Sequence, residues 1–138
     1  MVKIDEITLF WMWDSKVETI ALNELDAIMD EIEEGEIKIK NKQELEEVVF
    51  KRIVDVLRRD LEEKFPETLI ERYGKFLLET DEGNTTVVDS ENVYEIVPSL
   101  IRKATNKDPA KYIAKKITKE FVKWFTKQYA SKTQKKNS

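Results

Sequence analysis

Lysine has the most regular placement of any residue that could do chemistry in this chain. Lys103, Lys107, Lys111, Lys115, Lys119, Lys123 and Lys127 recur at every fourth position, and Lys132, Lys135 and Lys136 follow. Such spacing on a helix suits a nucleic-acid backbone or an acidic protein surface. Carboxylates are as abundant, with pairs such as Asp26 and Asp30 one helical turn apart. Paired carboxylates can do acid–base work, but any acidic helix carries them by composition alone. The chain has neither histidine nor cysteine. Imidazole bases, Ser-His-Asp triads, thiolate nucleophiles, disulfides, zinc–thiolate sites and the Glu-x-x-His pairs of di-iron bundles are therefore excluded together. The segment 81–92 is rich in oxygen ligands but lacks the Gly at position six and Glu at position twelve of a calcium loop. Gly35, Gly74 and Gly83 are isolated, so no glycine-rich loop cradles a phosphate. The expectation is a non-enzymatic protein with no catalytic, cofactor-binding or metal residues and no cofactor.

Five of these lysines, Lys111, Lys115, Lys119, Lys123 and Lys127, sit on the segment 108–130. Asp108 is a favoured N-cap, and Pro109 suits the first helical position because its missing amide would be unpaired anyway. Ala110, Ile113, Ile117, Phe121, Trp124 and Phe125 fall within ~120° of one another at ~100° per residue. They predict a buried stripe. Lys111, Lys115, Lys119, Lys123 and Lys127 form a candidate basic surface on the other side.

The formal charge of −4 hides a division. Residues 1–100 hold 12 Lys and Arg against 26 Asp and Glu, a net of −14. Residues 101–138 hold 12 against 2, a net of +10. A basic third on an acidic body favours electrostatic docking within or between chains. Charged residues make up 38%, with only three Gly and three Pro, a profile that favours helix. Asp5 and Glu6 precede the short apolar run 7–13, unlike a secretory signal, and no stretch approaches the ~20 apolar residues of a membrane span. A soluble, intracellular protein is expected.

Upstream elements read as acidic amphipathic helices. The first is expected over 5–34, with a stripe of Val17, Ala21, Leu25, Ile28 and Ile32 and Gly35 as its left-handed cap. Phe10, Trp11, Met12 and Trp13 spread around most of that helix, so one stripe cannot bury them all. They are the candidate interface, since aromatics and Met are enriched at such surfaces. Asn41 and Glu44 start a second helix, 42–65, which should stop or kink before Pro66. Arg58 and Arg59 are expected to pair with nearby acids. A third helix is expected over 66–80, with Gly74 marking a close crossing. A turn at 81–84 leads to a few extended residues at 85–88. A proline-bent helix at 90–105 precedes the basic one. The sum is an all-α fold, an antiparallel four-helix bundle with an additional short, proline-bent helix. Residues 1–130 form one domain, and 131–138 form a disordered basic tail.

The Glu/Lys-laden helices at 15–34 and 42–65 and the lysine-faced helix at 108–130 make the chain resemble small helical-bundle proteins encoded by viruses of hyperthermophilic archaea, Pyrococcus viruses among them. That resemblance implies a bundle that mediates protein contacts as a homodimer, without enzymatic activity, in the host cytoplasm. It carries no motif from which a functional residue can be transferred. The function expected is a protein–protein interaction module whose partner is a second copy or a host or viral protein. Nucleic-acid binding through the lysine-rich C-terminal helix and tail is the alternative.

Overall fold

The computed structural model describes the backbone of residues 1–105 and 108–137 and the side chains of 1–105 and 108–128. The polar tail expected at 131–138 lies outside the residues whose side chains are described. The chain opens on a short strand, β1 (Lys3–Asp5), and passes directly into α1 (Glu6–Glu33). Asp5 caps the helix by accepting from the Thr8 amide at 2.7 Å. That bond to its charged form holds the Asp5 carboxyl below its ordinary value. One long helix from Asp5 is thus correct. Its end is set by Gly35, at φ +78°: the Gly35 amide donates to Ile32 O and the Glu36 amide to Glu31 O. This pair of bonds satisfies carbonyls that the helix leaves open.

α2 (Lys42–Arg59) begins where Asn41 Oδ1 accepts from the Glu44 amide at 2.9 Å, while Glu44 reaches back to the Lys40 amide. Of the two outcomes expected before Pro66, a stop or a kink, the stop does not occur. A five-residue π-helical turn (Asp60–Lys64) leads instead into α3 (Phe65–Tyr73). A proline inside an α-helix clashes with the carbonyl four residues back and withholds an amide. In the wider turn the Phe65 amide bonds Asp60 O, five residues back, which gives the Pro66 ring room.

The third expected helix, 66–80, is corrected more deeply. Helix ends at Tyr73, because Gly74 adopts φ +64° and ψ −141°, a conformation that terminates α3 and is open to glycine. Phe76, Leu77 and Leu78 then form β2 (Phe76–Glu79), which turns into β3 (Thr85–Val88). Phe76 and Leu78 are buried while Leu77 and Glu79 are half-buried, the period-two alternation of a strand. β1 pairs parallel with β2 (Ile4 with Leu78), and β2 antiparallel with β3 (Phe76 with Val88), in the order β1-β2-β3. The chain is mostly helical, but the all-α expectation must admit this small sheet.

Asp89 and Asn92 clasp each other's backbone ahead of α4 (Val93–Thr105). That helix runs on through Pro98, which is buried, without the expected break. α5 (Pro109–Asn137) closes the sequence of elements. α2 packs against both α1 and α5, which barely touch each other. Trp13, Leu57, Leu61, Phe65, Phe76 and Ile101 are fully buried where the helices meet the sheet.

Candidate interaction groove between the first and last helices

α1 and α5 run side by side in the same direction. Phe10 and Asp14 stand level with Pro109 and Ile113. Further along, Glu18, Leu22, Asp26 and Asp30 stand level with Ile117, Glu120 and Trp124. Because both helices rest on α2 without meeting, an open groove of about 740 Å³ separates them. Its floor is apolar: Ala21, Leu25 and Phe121 are buried beneath it, with Met29 and Ile117 half-exposed. Leu22 and Trp124 remain 52% and 50% exposed at its lips.

The burial of α5 explains why Trp124 stands out. Beyond Pro109 at its start, its buried residues are Ala110, Ala114, Thr118, Phe121 and Val122, whereas Ile113, Ile117 and Phe125 are only half-buried. From Ala110 onward the inner face is therefore rotated by ~60° from the stripe expected from large residues alone. Small side chains at Ala110, Ala114 and Thr118 permit a close approach to α2, which turns the aromatic edge toward α1. Trp124 and Phe121 contact each other, ring centroids 5.9 Å apart, along that edge.

The groove carries one sign of charge at its rim: Glu18, Asp26, Asp30 and Glu120 line it with no lysine or arginine. Among the described residues, none of these four carboxylates has a cation within ion-pair distance. Some charges elsewhere on the molecule are matched. Arg52 on α2 bridges Glu24 and Glu31 of α1, at 2.8 Å each. Burial lowers the Arg52 guanidinium, but these two acids outweigh it and hold it above its ordinary value. Arg58 pairs with Asp108 at 2.6 Å, tying the end of α2 to the start of α5. In place of the acids expected on its own helix, the fold gives Arg58 a partner 50 residues away. Burial would raise the Asp108 carboxyl, but Arg58 and the Lys111 amide hold it below its usual range.

The four aromatic and Met residues expected at an interface separate. Trp13 is buried completely, and its indole donates to Asp60 Oδ2 at 3.1 Å. It belongs to the core and leaves the candidate interface. Phe10 and Met12 are half-buried against that core. Trp11 is 61% exposed and stays available. Ile7, Trp11, Leu22, Leu25 and Met29 fall within ~60° of one another on α1. They form a second apolar stripe that runs past the groove, with Ile7 also exposed. Apart from Leu25, which the two stripes share, the sequence carries this signal in apolar positions that the main stripe does not use.

The five expected basic residues are all exposed, and none pairs with a carboxylate among the described residues. They do not form a straight line. A four-residue step advances ~40° around a helix, so Lys111 and Lys127 point ~160° apart. Lys111, Lys115 and Lys119 border a second cleft against Glu46, Glu47 and Phe50 of α2. Lys123 and Lys127 lie on the outer flank nearer the α1–α5 groove. Lys107, Lys132, Lys135 and Lys136 lie outside the residues whose side chains are described.

No protein-family model, curated protein or solved structure matches the chain. No described helix is long and apolar enough to cross a membrane.

Proposed function

We propose that this protein is a non-enzymatic protein–protein interaction module that works as a homodimer, with the α1–α5 groove and the exposed α1 stripe as its contact surface. The observation that carries this reading is a groove whose floor is apolar, whose lips expose Leu22 and Trp124, and whose acidic rim lacks cations. Surfaces of this kind, rich in aromatic and aliphatic side chains with polar edges, are the usual centres of protein contacts.

Nucleic-acid binding is the second reading, favoured by the α5 lysines that are unpaired among the described residues. Against it stand the net acidity and their spread of ~160° around the helix, which a single backbone track would not match. Light-scattering mass on a sizing column, with and without duplex DNA at low and moderate salt, separates the two. The interaction module predicts a dimer that ignores DNA at both salts. A salt-sensitive shift onto DNA by a monomer overturns it in favour of the second reading.

A further inference from the structure

The charges that flank the groove select one way for two copies to meet. On α5, Lys127, Lys116 and Lys123 lie ~60°, ~80° and ~100° from Trp124 on the same side of the helix, beyond Glu120. They are exposed and, among the described residues, unpaired. The carboxylates of the groove nearest α1 are Glu18, Asp26 and Asp30, and Asp26 and Asp30 stand level with Trp124. One lip is therefore acidic and the outer flank of the other is basic, at the same height along parallel helices.

Two twofold arrangements can close such a groove with a second copy. An axis across the helices lays α1 on the partner's α1 and α5 on the partner's α5, each pair antiparallel. Carboxylates then face carboxylates and lysines face lysines. An axis along the helices lays α1 on the partner's α5, parallel and in register. Asp26 and Asp30 then meet Lys123 and Lys127 on either side of the partner's Trp124, and each contact occurs twice by symmetry. Like-charge juxtaposition disfavours the first arrangement, and complementarity favours the second.

Resting on the self-association reading above, we infer that the dimer pairs α1 of one copy with α5 of the other in parallel, Asp26 and Asp30 opposite the partner's Lys123 and Lys127, burying Leu22 and Trp124 between them. The interface is then a four-helix arrangement in which helices of opposite charge alternate. Its dissociation constant rises with salt, because the ion pairs sit at the rim where screening acts.

The test is sedimentation velocity on the full chain at moderate salt with four samples: wild type, D26K/D30K, K123E/K127E, and an equimolar mixture of the two variants. All four positions are exposed, so the fold is retained, which thermal melts verify. Wild type dimerises, and each variant alone weakens dimerisation by tenfold or more, because lysine then meets lysine or carboxylate meets carboxylate. The mixture returns to wild-type affinity, since both reversed contacts become complementary again. A D26K/D30K chain that dimerises as tightly as wild type or more so overturns the inference in favour of α1 on α1. A mixture no tighter than its components overturns it as well. A wild type that stays monomeric removes the self-association reading itself, a separate and recognisable failure.

Discussion

Trp13 and Trp124 mark two regions of the molecule that solve their electrostatics in opposite ways. Around Trp13 the polar groups find their partners inside the chain. The indole is fully buried, its amine donates to Asp60, Lys16 lies over the Phe65 ring, and Glu6 accepts from the Asp81 amide. Around Trp124 the ring is half-exposed, and neither the carboxylates of the rim nor the lysines beyond them find partners among the described residues. A region that closes its own hydrogen bonds and ion pairs stabilises the monomer. On the reading proposed above, one that leaves apolar floor and separated charges offers them to a second copy.

Substitution separates the two regions most sharply. Trp13→Ala removes a large buried ring and strands the Asp60 carboxylate, so a loss of about 3–5 kcal/mol is expected in chemical unfolding. A loss below about 1 kcal/mol would show that this end is not the core. Trp124→Ala and Trp11→Ala are expected to change monomer stability by only about 0.5 kcal/mol each, measured at concentrations below dimerisation. A core-sized loss at Trp124 would erase the contrast.

Gly74 tests a joint that belongs wholly to the packed region. No atom lies within 4 Å of a Cβ added there, so Gly74→Ala meets strain alone. At φ +64° and ψ −141° the expected cost is about 1–3 kcal/mol, read from thermal unfolding. A neutral result would mean that the turn between α3 and β2 relaxes freely.

The smallest effect concerns Asp60. Burial raises its carboxyl above 3.8, against the opposing pull of Lys16, the Trp13 indole and Lys64. The folded chain therefore holds the proton more tightly than the unfolded one. The ionised form costs stability at neutral pH, and that cost disappears as pH falls through the folded value toward 3.8. Asp60→Asn keeps an acceptor for Trp13 without the charge. It should equal or exceed wild type by up to about 1 kcal/mol at pH 7, with the difference shrinking in acid. A clear loss at pH 7 would show that Lys16 and Lys64 make the carboxylate favourable.

The contrast also explains which parts of the molecule are legible in the sequence. Local signals read well: Asp5, Asn41 and Asp108 accept hydrogen bonds at helix starts, Gly35 caps α1, and the main stripe of α1 is buried except for half-buried Ile32. Local pattern misleads where a distant partner decides the outcome. Phe76, Leu77 and Leu78 fit a helical period as well as a strand, and the neighbouring Lys3–Asp5 strand decides between them. Pro66 has the character of a stop, but a π-helical turn accommodates it. Trp11 and Trp13 are indistinguishable by type, and only the packing of α1 on the π-helical turn sends one inward. The groove is the least legible feature, because it arises from the small residues that rotate α5 on α2.

The most direct test of the central claim is the dissociation constant from sedimentation equilibrium, measured for wild type beside the W11A/W124A double variant. The account predicts a wild-type dimer weakened by about 30-fold or more in a double variant that melts like wild type, as expected when central aromatic contacts are truncated. An unchanged constant in the folded variant, or a wild type that remains monomeric at high concentration, would contradict it.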